Sequence, residues 1–566
     1  MLGAAWAWHN QDPDDQTRAE LQELIERTET GDADAIAELE ARFGSRLAFG
    51  TAGLRGELAA GPNRMNRVLV AQTAAGLAAY LNARTFQSTA SVVIGYDGRK
   101  NSDVFARDTA EIMAGSGVRA ILLPRMLPTP VLAFAVRQLK VSAGVMVTAS
   151  HNPPRDNGYK VYLGDENHGS QIVPPADAEI AAEILRATSG SVSDLPRSTE
   201  YETADESLID AYVAASAAVA SGAAQSAPEQ GSAQLNVVYT AMHGVGWEIA
   251  QRVFAAAGFA EPETVSEQIE PDGAFPTVAF PNPEEPGAMD LSFRTARERG
   301  AELIIANDPD ADRLAVAIPA PDTADGYRRL TGNEVGNILG WMVAEDADAA
   351  DRHGAIAVSI VSSPALKRVA SAYGHDFVET LTGFKWVSRV DGLIYGFEEA
   401  LGYLVNPQVI RDKDGISAAT LFLALAARMK AKGQTIADRM DQFAERFGFF
   451  ASEQVSFRVS DLAEIARVMT GLRQDPPAEL GSIRVDQIDD LIDGYGALPA
   501  SDVLRIRLED GSRVVVRPSG TEPKLKVYID ASSDHGTMAQ RRADAQGRVS
   551  ALAEAIRALI AGLRGE

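Results

Sequence analysis

Cysteine is absent from all 566 residues. Disulfides, thiolate metal sites and thiol nucleophiles are therefore excluded, and the chain is chemically indifferent to the redox state of its compartment. Basic residues are in short supply: 53 Lys and Arg against 78 Asp and Glu leave a formal net charge of -25. That balance disfavours general adhesion to nucleic acid or to an anionic membrane, and neither is expected as a partner. No apolar run approaches the ~20 residues needed to cross a bilayer. Met1 to His9 has no basic segment and turns polar at once, so it does not read as a secretory signal. The spacing Gly-x-x-x-x-Gly-Lys-Ser/Thr occurs nowhere, which argues against a nucleotide triphosphatase. A cytoplasmic protein that stays in water is the default expectation, and an anionic ligand would have to be held by local Arg and Lys clusters.

The chain is too long for one hydrophobic core, and ordinary domain sizes suggest roughly three to five domains. Residues 14 to 43 carry two short amphipathic patterns, with Leu21, Leu24 and Ile25 in the first and Ile36, Leu39 and Phe43 in the second. Trp6 and Trp8 are expected to pack against the body. Strand and helix patterns then alternate: Val92-Val93-Ile94, a helix from about Ser102, Ala120 to Leu123, a helix after Pro130, and Ala143 to Val147. Similar units start at Asn236 and at Ala357, with an Ala-, Ser- and Gln-rich linker around Ser226 to Ser232. From about residue 450 the strands alternate apolar and polar residues, as half-solvated strands do. The expected class is α/β: three related α/β domains with mixed, mainly parallel sheets, plus a C-terminal α+β domain. The expected boundaries are 1–205, 206–325, 326–448 and 449–566, the last forming a lid.

Four stretches carry chemistry. Thr148-Ala149-Ser150-His151-Asn152-Pro153-Pro154 puts a hydroxyl nucleophile directly after a buried strand, where open α/β sheets keep their ligands. Asn157-Gly158 reads as a turn, after which Lys160 can return toward the same cleft. Asp308, Asp310 and Asp312 lie between two apolar strands, and carboxylates at alternate positions of an extended segment can converge on one Mg2+. An EF-hand is excluded, because Arg313 stands where its glycine is required and Pro319 where its bidentate glutamate belongs. A phosphatase of the haloacid-dehalogenase type, with Asp308 as nucleophile and Asp310 as acid/base, is the competing reading. Glu398 and Glu399 can accept hydrogen bonds from sugar hydroxyls or merely be solvated. Lys385 can touch substrate or snorkel from a helix. Arg517, Ser519, Gly520 and Thr521 form an anion nest or a plain surface turn. Arg55, in the glycine-rich Phe49 to Gly56, offers a fork of donors suited to phosphate.

Together the forms FGTAGLRG, TASHNPPRDNGYKVY, NDPDADRLAV, TGFKW, GFEEALGY and RPSGTEPK occur in this order over nearly the whole chain. The chain resembles the α-D-phosphohexomutase superfamily, the phosphoglucomutases and phosphomannomutases, and within it the phosphoglucomutase-2-like branch, some members of which prefer phosphopentoses. The resemblance implies a phosphosugar mutase that interconverts a sugar 1-phosphate and 6-phosphate, glucose first, through phosphoserine and a bisphosphorylated sugar. Phosphomannomutase, phosphopentomutase and a Mg2+-dependent sugar phosphatase using Asp308 are the alternatives. It implies Ser150 as the phosphorylated residue, one Mg2+ per chain on Ser150, Asp308, Asp310 and Asp312, and Lys160 as acid/base, its pKa lowered by neighbouring cations. His151, Arg55 and Arg313 would assist at the transferring phosphoryl group. Thr382, Gly383, Lys385, Glu398 and Glu399 would contact the sugar, and Arg517, Ser519, Gly520 and Thr521 its phosphate. A sugar 1,6-bisphosphate is the expected activator, and the state monomer or homodimer. Many relatives carry serine where this chain has Ala400, which leaves the choice among glucose, mannose and pentose phosphates open.

Overall fold

The computed structural model describes residues 1–84, 89–220, 235–459, 461–519 and 524–564; the expected linker around Ser226 to Ser232, and Gly520 and Thr521, lie outside them. The chain forms two compact units, Met1–Leu330 with Gly402–Ala427, and Thr331–Leu401 with Arg428–Glu566.

In the first unit, consecutive apolar residues become strands with both faces covered, as parallel sheets require. Ser91–Tyr96 lies between Arg119–Leu122 and Ala143–Val147 and runs parallel to both. Asp156–Leu163 returns antiparallel to Ala143–Val147 and pairs on its other side with Leu54–Glu57. The expected turn at Asn157-Gly158 is not there. Both residues are already in the strand, opposite Gly56 and Arg55, and the chain reverses earlier, over 151–155. Gly158 is required for a different reason: a Cβ would lie 2.6 Å from the Thr148 carbonyl oxygen and 2.8 Å from that of Leu54. The missing side chain lets the Arg55 strand close on the Ser150 loop.

Asp15–Glu29 and Ala33–Phe43 are helices whose first amides are capped by Asp14 and Asp32, each cap worth about 1 kcal/mol. The second is rotated from the expected face: Ala35 and Leu39 are buried while Ile36 is 39% exposed. A further helix, Leu2–Gln11, precedes them, and its Trp8 is buried edge-on against Phe43 at 6.2 Å. A second sheet runs in the order Tyr327–Arg329, Leu314–Pro319, Leu303–Asn307, Val237–Thr240, Glu263–Thr264. Its last three strands are parallel, and Leu303–Asn307 forms an antiparallel hairpin with Leu314–Pro319.

In the second unit, Ala355–Ser359 lies between Asp376–Thr380 and Leu393–Glu398, all three parallel. An antiparallel sheet follows, ordered Phe449–Arg458, Lys524–Ser533, Arg513–Pro518, Leu504–Leu508, Ile483–Asp490, Glu479–Leu480. Helices Leu462–Gln474 and Met538–Arg564 pack on one face. The expectation of half-solvated strands fails at its centre. Val514, Val515 and Val516 are all buried, because Val515, with Val503 and Tyr528, packs against Ile360, Val361 and Leu381 from the loops of the parallel sheet. The class is α/β with a C-terminal α+β part, and no described helix is long and apolar enough to cross a membrane.

Candidate active site

The Ser150 loop leaves the fully buried strand Ala143–Val147. Thr148 donates its hydroxyl to Asp97 at 2.6 Å and accepts the Ser150 amide at 2.8 Å. Ser150 itself sits in the left-handed region, φ 52°, a conformation that costs a serine about 1 kcal/mol or more. Arg99, 4% exposed, offsets that strain. Its guanidinium donates to the carbonyls of Ser150, Asn152 (2.7 Å), Pro153 (2.9 Å) and Asp156 (3.2 Å), and its Nε lies 3.3 Å from Asp97. Asp97 and Arg99 follow the strand Ser91–Tyr96 and were not singled out in the sequence, yet they fix the direction of the serine.

Asp308, Asp310 and Asp312 are buried between the two hairpin strands. The segment is not extended, as alternation suggested. It is a tight turn with Ala311 at φ 55°, and this turn brings the three carboxylates together so that one oxygen of each lies within 4.8 Å of the others. Each carboxylate is anchored by part of its surface. Asp308 accepts the Arg313 amide at 3.0 Å and the Ser150 hydroxyl at 2.9 Å. Asp310 Oδ2 accepts from Thr129 at 2.6 Å and Lys160 at 2.7 Å, and Asp312 Oδ2 from Lys160 at 2.9 Å, with Lys413 Nζ 3.1 Å away. Asp310 Oδ1 and Asp312 Oδ1, although buried, accept no hydrogen bond among the described residues. Buried carboxylate oxygens left without donors are the ligands a hard cation takes, so the trio fits a metal ion.

The electrostatics agree. Burial, then Asp310 and Asp312, push the Asp308 carboxyl well above its ordinary range. Burial also opposes ionisation of Asp310 and Asp312, but Lys160 holds both below the usual carboxylate range, helped at Asp310 by Thr129 and at Asp312 by Lys413 and Arg313. Burial, followed by Arg313 and Arg55, pushes the His151 imidazole well down, so it is neutral, with Nδ1 3.1 Å from Ser150 Oγ. Lys160 departs from expectation. Burial lowers it, yet Asp310 and Asp312 outweigh burial, and without a cation to engage those carboxylates the ammonium is raised rather than lowered.

Lys160, Arg313, His151 and the three aspartates therefore meet at Ser150, and Arg55 joins through Asn152, to whose side chain it donates at 3.1 Å. Lys413 went unread in the sequence. Its Nζ lies 3.4 Å from Asp412, which accepts Tyr162 and Gln171 at 2.7 Å each, while Asp414 accepts Tyr212 at 2.9 Å and caps the helix Gly415–Ala431. The run Asp412-Lys413-Asp414 ahead of a helix was the available signal, but in isolation it is an ordinary solvated triplet.

The remaining expected residues lie in the second unit. Gly383, at φ 111°, donates its amide to Glu398 at 2.6 Å, and Thr382 precedes it. Lys385 is on the short helix Phe384–Val387 with Nζ 6.0 Å from the Trp386 ring centre. Glu399 accepts from Ser362 at 3.0 Å. Arg517 is in the strand Arg513–Pro518, and Ser519 follows it, its amide bonded to the Lys524 carbonyl at 2.8 Å.

A strained serine hydroxyl against a buried trio of carboxylates and two lysines, on an α/β scaffold, is an arrangement suited to phosphoryl transfer. The four phosphoglucomutase/phosphomannomutase family profiles match in order: α/β/α domain I over residues 46–191, domain II over 210–320, domain III over 331–447 and the C-terminal domain over 456–546. The chain is 54% identical to "Probable phosphomannomutase" of Haemophilus influenzae over 82% of this chain and 93% of that one. It is 36% identical to "Probable phosphoribomutase" of Schizosaccharomyces pombe over 93% and 92%. A phosphoglucomutase/phosphomannomutase family protein of Burkholderia thailandensis shares the fold, with TM-score 0.68 at 21% identity over 92% of this chain and 98% of that one. The chain belongs to the phosphoglucomutase/phosphomannomutase family, within the α-D-phosphohexomutase superfamily. It is a phosphotransferase enzyme, a mutase of phosphosugars.

Proposed function

We propose that the enzyme interconverts the 1- and 6-phosphates of glucose through phospho-Ser150 and glucose 1,6-bisphosphate, in the cytoplasm, on four domains divided at 205/206, 325/326 and 448/449. The observation that carries the reading is the Ser150 hydroxyl, held in a left-handed turn 2.9 Å from the buried Asp308. Ser150 Oγ gives its phosphoryl group to the free hydroxyl of the sugar, and the bisphosphate turns end for end and returns the other phosphoryl group to Oγ. Each transfer moves one proton from the attacking hydroxyl to the oxygen that leaves, and Lys160 is its carrier. Asp308, Asp310 and Asp312, with the Ser150 phosphate, would hold one Mg2+, which would neutralise charge at the transferring group. Arg55, Arg313 and neutral His151 donate hydrogen bonds to the equatorial oxygens, where transition-state charge resides. Thr382, Gly383, Lys385, Glu398 and Glu399 receive the sugar hydroxyls, and Arg517, Ser519, Gly520 and Thr521 the phosphate that is not in transfer. Ala400 offers no hydroxyl, so discrimination among glucose, mannose and pentose phosphates falls to those neighbours.

A phosphorus NMR time course with Mg2+ and a trace of sugar bisphosphate tests this on glucose, mannose and ribose 1-phosphates in turn. Conversion to the 6- or 5-phosphate without free phosphate is expected, fastest for glucose, and Ser150→Ala abolishes it. Substantial turnover in Ser150→Ala, or growth of inorganic phosphate in place of the isomer, overturns the mechanism and favours hydrolysis through Asp308.

A further inference from the structure

In the second unit an ion-pair cluster, buried except for the half-buried Glu379, joins the antiparallel sheet to the loops of the parallel sheet. Glu379, at the end of the strand Asp376–Thr380, accepts from Arg505 Nη1 at 2.9 Å and, through its other oxygen, from Arg513 Nη1 at 3.0 Å. The arginine side chains are only 4% and 9% exposed. Each also has an acid on its own sheet: Arg505 Nε bonds Asp489 at 2.8 Å and Arg513 Nε bonds Asp530 at 2.8 Å. Glu379 is thus the member that crosses between sheets.

The same arginine reaches further. Arg513 donates to the Ser362 carbonyl in the loop after Ala355–Ser359, and the Ser362 hydroxyl donates to Glu399 at 3.0 Å while accepting the Glu399 amide at 3.0 Å. Glu398, beside it, accepts the Gly383 amide, and Gly383 lies four residues beyond Glu379. The loops at the C-terminal ends of all three parallel strands are therefore tied, directly or through one side chain, to Arg513. Along the strand Arg513–Pro518, residues 513, 515 and 517 share a face, and Val515 packs against the parallel sheet's loops. Arg517 issues from that face.

We propose that Glu379 is a positioning residue for the mutase reaction: clasped by Arg505 and Arg513, it holds the loops bearing Gly383 and Glu399 in fixed register with the strand bearing Arg517. The loops bearing Gly383 and Glu399 and the strand that carries Arg517 are then held together within the second unit. This rests on the sugar and phosphate roles assigned above. Restricting both loops before substrate arrives lowers the ordering cost of binding, so the cluster acts on KM more than on the phosphoryl step.

Glu379→Gln is the direct test, because the amide keeps the shape but can accept from only one guanidinium and turns a donor toward the other. KM for the sugar monophosphate is expected to rise about tenfold or more, with phospho-Ser150 still formed to full occupancy at saturating bisphosphate. Hydrogen exchange is expected to quicken together in the peptides around 360–363, 381–383 and 397–400. Arg505→Gln should act similarly, and combining the two should add less than the product of the single effects, as members of one network do. Unchanged KM in folded Glu379→Gln, faster exchange confined to 376–380, or multiplicative effects overturn the proposal. A pair that served stability alone would lower Tm without moving KM. Should Glu379→Gln not fold, Glu379→Asp, which keeps the charge and shortens the reach, is judged by the same three readouts. Failure of the underlying mutase reading shows separately, as turnover that survives Ser150→Ala.

Discussion

Replacing Arg99 by lysine keeps the positive charge beside Asp97 and removes the fork. The guanidinium serves four backbone carbonyls that come from residues 150 to 156, all on one tight loop. An ammonium is a compact charge with three hydrogens and cannot span them. At least two carbonyls then lose a donor in a loop that is only partly exposed to water. An unsatisfied acceptor costs about 1–3 kcal/mol when fully buried, so two of them in a partly exposed loop place the expected loss of stability toward the lower part of that sum, at about 2–4 kcal/mol in the first unit. Function suffers by a second route. Ser150 occupies its left-handed conformation, φ 52°, against an intrinsic preference, and releasing its carbonyl lets the backbone relax and carries Oγ away from Asp308. A shift of about 1 Å at a reacting atom costs on the order of 100-fold in rate. Chemical denaturation, and the rate of Ser150 phosphorylation by a sugar bisphosphate followed by intact mass, read the two effects. A variant within about 0.5 kcal/mol of the parent and within twofold of its phosphorylation rate would refute the argument that the fork holds the loop.

Three further outcomes are expected. Chelation should abolish turnover and Mg2+ restore it, and Asp310→Asn should weaken Mg2+ binding by calorimetry, since Asp310 Oδ1 is one of the buried oxygens without a donor; undiminished affinity would remove Asp310 from the ligand set. Gly158→Ala should destabilise the first unit by several times the ordinary effect of about 1 kcal/mol, because its Cβ meets two backbone oxygens that cannot swing aside; an unchanged denaturation midpoint would contradict the packing. Asp489 is lowered despite burial by Arg505 and Arg507. A depressed carboxyl stabilises above its unfolded pKa, about 3.9, and that contribution is lost as pH falls through the folded value. The Tm gap between parent and Asp489→Asn should thus be full at pH 6 and shrink below about pH 4; a gap constant with pH would show that the pair carries no charge-dependent stability.

The sequence was most readable where local composition decides structure. Runs such as Ala143 to Val147 and Leu303 to Ala306 are buried on both faces and admit little but a central strand. The Ser150 and Asp308 loops stood out as candidate sites equally plainly, because a serine and three carboxylates lie directly beside buried strands. Geometry was harder. The Asp308 loop converges through a turn at Ala311, and Asn157-Gly158 is strand because Leu54–Glu57 pairs with it from a hundred residues away. The residues missed, Arg99, Lys413, Glu379, Arg505 and Arg513, act in large part through partners distant in sequence. Glu379 meets Arg513 across 134 positions, and no local pattern distinguishes such a glutamate from a solvated one.

The segment Gly402–Ala427 belongs to the first unit although the chain has by then already made Thr331–Leu401, which belongs to the second. Biosynthesis inherits that order. When the ribosome passes Leu330, the Ser150 and Asp308 loops exist, but Asp412, Lys413 and Asp414, which bond Tyr162, approach Asp312 and bond Tyr212, do not. Roughly a hundred more residues must be added, which at about 5–20 residues per second takes on the order of 5–20 seconds. Through that interval the nascent first unit carries its carboxylate trio without the second lysine, and the hydroxyls of Tyr162 and Tyr212 lack their aspartate acceptors. The first unit thus completes itself late, after a large part of the second has been synthesised.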